Sequence, residues 1–184
     1  MWKGLSDGTF QVFSSDHAPY RFDESGKLPR GEQTTFKEMA NGVPGLEVRL
    51  PLLFSEGVGK GRISLNEFVA LTATNHARMY GLAPRKGTLA VGADADLAIW
   101  DPDRAVTLRA ADMHDNVGYT PYEGRQVRGW PEVVVSRGRV VVAGGQLHAG
   151  RGSGLFLARG TPEPVARERA SAPEMQLFKS WIGM

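Results

Sequence analysis

The chain has 184 residues, 41% hydrophobic and 23% charged, with 22 basic side chains against 20 acidic ones for a formal net charge of +2. This balance excludes a chain disordered throughout and argues against nucleic acid as the main partner. The absence of cysteine excludes disulfides and thiolate metal sites, and the lack of a bilayer-length apolar run or a signal-peptide layout at Met1 makes the cytoplasm the expected location, with no membrane partner.

Residues 2–7 read as the closing turns of a helix ended by Gly8, so the chain enters in mid-element. The β-prone run Gln11-Val12-Phe13 then delivers Ser14, Ser15, Asp16 and His17 into a stop at Pro19, which predicts a strand ending at a chemical site. Asp16 is its candidate functional residue. By residue type alone, an Asp before His-Ala-Pro is more often a turn former; at the carboxyl end of a β/α barrel strand it would face the active site.

Residues 21–31 are polar, with Gly26, Pro29 and Gly31, and predict an exposed loop able to lie over that site. Asn41-Gly42-Val43-Pro44-Gly45 is irregular: either a tight turn or a loop presenting backbone groups to a ligand. Residues 46–54 predict a buried helix with Pro51 in its first turn. The glycine-rich residues 57–62 lack the Gly-Lys-Ser/Thr ending of a phosphate loop. Ser64 and Glu67 form a predicted capping box, opening a helix whose apolar face is Phe68, Val69 and Leu71. That helix has an expected break at residues 74–76 and an end at Gly81; His76 reads as structural.

Beyond Pro84 the periodicity becomes that of short strands. Residues 95–101, 132–136 and 139–143 are the clearest, the last two forming a hairpin in which Gly138 supplies a positive φ. Trp100 and Trp130 read as packing residues. Arg125, Arg128, Arg137 and Arg139 lack the interleaved aromatics of a nucleic-acid surface and read as a solvated face.

Seven motifs occur in one order: Ser14-Ser15-Asp16-His17-Ala18-Pro19, Asn41-Gly42-Val43-Pro44-Gly45, Gly61-Arg62-Ile63-Ser64-Leu65, Pro84-Arg85-Lys86-Gly87-Thr88, Gly92-Ala93-Asp94-Ala95-Asp96-Leu97, Tyr122-Glu123-Gly124 and Ser136-Arg137-Gly138. Together they resemble the C-terminal portion of the dihydropyrimidinase and D-hydantoinase family of cyclic amidohydrolases, across most of residues 4–157.

The resemblance implies an α/β fold: the C-terminal end of a metal-dependent (β/α)8 TIM barrel in residues 1–83, then the C-terminal part of a small β-sandwich in residues 84–150. Residues 151–184 would be an extension making an oligomer contact. The implied activity is hydrolysis of the cyclic amide C–N bond of a hydantoin or dihydropyrimidine to an N-carbamoyl amino acid. Asp16 matches the aspartate that is both metal ligand and catalytic base, and Asn41 matches the position whose backbone groups bind the cyclic amide of the substrate. His17 would neighbour the site without being a ligand. The implied cofactor is a divalent metal, two zinc ions in the full-length enzyme. The implied partners are a small cyclic amide and further copies of the chain in a homotetramer.

Several family features have no counterpart here. The family holds its metals with a His-x-His pair, two further histidines and a carboxylated lysine, all upstream of the matched region; His76, His114 and His148 fall outside matching motifs. A closed β/α barrel takes about 250 residues. Ala18 and Tyr20 stand where the family commonly has Cys and Phe. The 184 residues alone are therefore expected to be inactive, and the alternative is a non-catalytic scaffold or oligomerisation protein on the amidohydrolase fold. The apolar run at residues 175–182 reads as a tail that docks on another surface.

Overall fold

In the computed structural model, which describes residues 1–165, helices come first and strands second. Helix α1 (Trp2–Ser6) ends at Asp7, and the chain turns out through Gly8 at φ +77°. Helix α2 (Arg49–Leu53) carries Pro51 in its first turn, where an N–H has no intrahelical partner to lose, and continues as a π-helical stretch, Phe54–Val58. Helix α3 (Leu65–Val69) opens with the full capping box: Glu67 N donates to Ser64 Oγ (3.1 Å) and Ser64 N donates to Glu67 Oε2 (2.6 Å).

The break expected at residues 74–76 is instead a widening of one rod. A π-helical stretch, Ala70–Thr74, leads directly into α4 (Asn75–Met79). Threonine chemistry accompanies it, since Thr72 Oγ1 donates to Phe68 O four residues back (2.7 Å) and Thr74 Oγ1 donates out to Gly87 O (2.8 Å). The rod closes in a Schellman motif. Leu82 N donates to Ala77 O (2.7 Å) and Gly81 N to Arg78 O (3.1 Å), with Gly81 at φ +65°. No helix among the described residues is long and apolar enough to cross a membrane.

Strands β1 (Leu97–Thr107), β2 (Gln126–Ser136), β3 (Arg139–Ala143) and β4 (Gln146–Leu147) form an antiparallel meander in sequence order. The β2–β3 turn has both Arg137 (φ +50°) and Gly138 (φ +77°) in the left-handed region, the backbone of a type I′ hairpin. Strand β1 outruns its expected end at residue 101 because an irregularity between Asp101 and Ala105 absorbs Pro102. Asp101 Oδ1 accepts from the Asp103 and Arg104 amides there (2.9 and 3.2 Å).

Residues 11–16, expected as a strand, have no ladder partner among the described residues; one parallel bridge joins His17 to Val43. Helical groups satisfy the backbone instead. Phe13 N donates to Leu71 O (2.8 Å), Asn75 Nδ2 donates to Gln11 O (2.7 Å), and the side chains of Arg49 and His76 both reach Phe13 O. His76, read as structural from its sequence context, thus contacts the backbone of this segment.

Two apolar clusters join helices to sheet. The first centres on Leu53, Phe54, Val58, Ile63, Phe68 and Leu71, with Trp2, Phe13 and Trp100 against it. The second is Val48, Leu108 and Val127, with Trp130 and Tyr122 alongside. Phe54 stacks on Trp100 (4.9 Å between centroids, 16°), and Phe68 meets both edge-on at 5.5 Å. Strand β2 approaches this cluster through Gly129 at φ +95°; a Cβ there would lie 2.2 Å from Phe54 Cδ1.

Beside the joint, Glu56 takes Lys60 (2.7 Å), Arg62 (3.2 Å) and Arg125 (3.0 Å), tying the π-helical stretch to the start of β2. The glycine-rich residues 57–62 therefore serve an internal charge network.

Two predictions follow from the joint. Phe54→Ala should cost about 3–5 kcal/mol of stability, and Gly129→Ala about 2–4 kcal/mol. In a double-mutant cycle by denaturant unfolding, Gly129→Ala should cost about 1 kcal/mol less in the Phe54→Ala background, because the clash partner is gone.

The Lys60 hydrogen bond, with Arg125 behind it, lowers the Glu56 pKa from 4.5 to about 2. A folded-state pKa below the unfolded one gives stability that is full above pH 4.5 and is lost as pH falls toward 2. With partners that are half exposed, the loss should be about 1–2 kcal/mol. Glu56→Gln should remove that portion of the acid slope in unfolding measured across this window.

Candidate active site

The bridge between His17 and Val43 brings two sequence-distant loops into one cleft of about 350 Å³. Residues 13–17 form one wall and residues 42–45 the other, with Arg49, Leu52 and Tyr122 completing it. Three of the ordered motifs, those containing Asp16, Gly42 and Tyr122, thus converge although they lie far apart in the chain.

Asp16 lines the cleft, is exposed, and its carboxylate has no hydrogen-bond or ion-pair partner among the described residues. His17 turns its Nδ1 to the facing loop and accepts the Gly45 amide at 3.0 Å and the Leu46 amide at 3.2 Å. Ala18 N donates to Val43 O at 3.1 Å. Asn41 stands at the edge: it is exposed and lies one residue before the lining segment Gly42 to Gly45.

The loop at residues 21–31 contributes nothing to the lining. Lys27, nearly fully buried, anchors it by donating from Nζ to Ala40 O (2.5 Å), immediately before Asn41. Arg49 spends one guanidinium nitrogen on Phe13 O, while its Nε is buried without a partner, and burial lowers its pKa from the ordinary value. Arg49 and Tyr122 were not singled out as site residues from sequence. The available signal was weak: an arginine interrupting an apolar run, and a tyrosine within a short motif.

Among the described residues, no three His, Asp or Glu side chains gather into a group able to hold a metal ion. Asp16 is one open hard-oxygen donor and fits a single position in a ligand set. It does not constitute one.

The model of the Amidohydrolase family matches residues 1–141. The chain is 42% identical over 159 residues to a D-hydantoinase of Ralstonia pickettii (86% of this chain, 34% of that protein). It is 43% identical to a D-hydantoinase of Geobacillus stearothermophilus (86% and 33%). Among solved structures, the dihydropyrimidinase from Brevibacillus agri superposes with a TM-score of 0.83 at 43% identity, covering 89% of this chain and 35% of that one. The L-hydantoinase from Arthrobacter aurescens gives 0.74 at 34% identity, covering 86% and 34%. The chain spans about a third of the length of the curated relatives it matches.

The donor set leads to a direct expectation. After dialysis against a weak chelator, elemental analysis of the purified chain should find close to zero divalent ions per chain. About one or two ions per chain, lost in Asp16→Ala, would mean that a complete ligand set exists around Asp16.

Proposed function

Because the chain belongs to the amidohydrolase family, we propose that it forms the C-terminal part of a hydantoinase- or dihydropyrimidinase-type hydrolase, acting on the cyclic amide C–N bond of a hydantoin or dihydropyrimidine. The observation that carries this reading is the cleft in which the Asp16 carboxylate, without a partner among the described residues, faces the loop following Asn41. On this reading residues 1–83 complete a (β/α)8 barrel and residues 84–150 complete a β-sandwich. The remaining barrel, further ligands for two zinc ions and a homotetrameric, cytoplasmic assembly belong to the whole protein.

The chemistry assigned to this chain's residues is proton transfer and orientation. Asp16 accepts the proton of the attacking water as a C–O bond forms at the ring carbonyl. It returns the proton to the ring nitrogen as the C–N bond breaks, leaving an N-carbamoyl amino acid. Backbone groups at Asn41 hydrogen-bond the cyclic amide and fix the ring before attack. A divalent metal would supply Lewis acidity at the ring carbonyl and acidify water.

The test is a graft in which this chain replaces the equivalent C-terminal third of the Geobacillus stearothermophilus D-hydantoinase. The hybrid should hydrolyse a 5-substituted hydantoin, and Asp16→Ala should cut kcat by at least about a thousandfold. A folded, metal-loaded hybrid with no hydantoin or dihydrouracil hydrolysis would overturn the reading and favour the non-catalytic scaffold.

A further inference from the structure

We propose that His17 is a positioning residue that locks the 42–46 loop in register with the Asp16 segment; its value for substrate orientation rests on the function proposed above. Two consecutive amides, 28 and 29 residues further along the chain, converge on a single ring nitrogen, Nδ1. That nitrogen must be the unprotonated one, so the neutral ring carries its proton on Nε2. The Nδ1 lone pair is therefore committed to the loop and is closed to a metal.

The bond belongs to a closed circuit. Ala18 N donates to Val43 O on one side of His17. Gly42, at φ +85°, sits so close that a Cβ there would lie 2.5 Å from that of Ala18. Past Leu46 the chain enters α2, from which Arg49 reaches back to Phe13 O on the segment where the circuit began. A loop joined at both ends to the segment carrying Asp16 cannot shift without Asp16, and the imidazole is the only side chain among the described residues that bonds the loop amides Gly45 and Leu46. Two otherwise orphaned backbone donors are satisfied by one acceptor placed by the sequence neighbour of the candidate base.

The test uses amide hydrogen exchange by NMR on the full 184-residue chain, without metal or substrate. In His17→Phe, which keeps ring bulk but has no acceptor, exchange at Gly45 and Leu46 should accelerate by about tenfold or more. His17→Asn places an amide oxygen close to the position of Nδ1 and should restore protection to within about threefold. His17→Gln carries its oxygen one carbon further out and should not. Protection at Leu82, in the remote helix closure, reports that each variant is folded.

In the unsubstituted chain, the ring 15N spectrum should show Nδ1 unprotonated and Nε2 protonated, a reading that needs no variant. A proton on Nδ1, unchanged exchange in His17→Phe, or no rescue by His17→Asn would each overturn the proposal. These signals do not depend on hydrolysis. An inactive graft would sink the catalytic reading without altering them, so the two failures are distinguishable.

Discussion

The structure depends on the joint where Phe54 is pressed between Trp100 and the backbone of Gly129. Apart from Tyr122, the cleft is lined from the helical side, and the helices are too short to stand alone: α2, α3 and α4 have five residues each, extended only by their π-helical continuations. Their stability has to come from tertiary burial. The stacked Phe54–Trp100 pair and the edge-on Phe68 provide it, and β2 can come close enough only because residue 129 has no side chain. The sheet thus fixes the α2 rod, α2 fixes Arg49, and Arg49 holds the carbonyl three residues before Asp16.

That chain of dependence explains how a segment without a paired neighbour keeps its shape. Residues 11–16 have the β-prone composition of a strand, and in a sheet their amides and carbonyls would be satisfied by adjoining strands. Here the side chains of Asn75, Arg49 and His76 occupy those bonding positions from the helices beneath. The segment is held from one side and through its His17 end.

The features legible in the sequence were those set by local chemistry. Ser64 and Glu67 announced the capping box because two side chains and two amides three residues apart suffice to make it. Gly81 announced the helix end, and Arg137-Gly138 the hairpin, for similar reasons. Asp16 was singled out because it falls in an ordered series of motifs, whereas its environment was not legible. The roles of Arg49 and Tyr122 depend on how the second apolar cluster seats β2 against α2, which periodicity does not encode. The π-helical passages also escaped, since a widened turn has the same apolar spacing over a few residues as an ordinary one. The strand expected at residues 11–16 failed for a non-local reason: strand propensity cannot supply a partner.

The electrostatics of the cleft bear on why Asp16 has no ion-pair partner among the described residues. Some other carboxylates are taken up by cations: Glu56 by Lys60, Arg62 and Arg125, and Asp94 and Asp96 by Lys86. The cation in the Asp16 cleft is Arg49, and it is directed at the Phe13 carbonyl. Committing one guanidinium nitrogen of Arg49 to the backbone fixes the segment while the Asp16 carboxylate stays exposed. A cleft that held Asp16 in place by pairing it directly with Arg49 would gain the same rigidity and lose the exposed carboxylate that the proposed proton transfer requires.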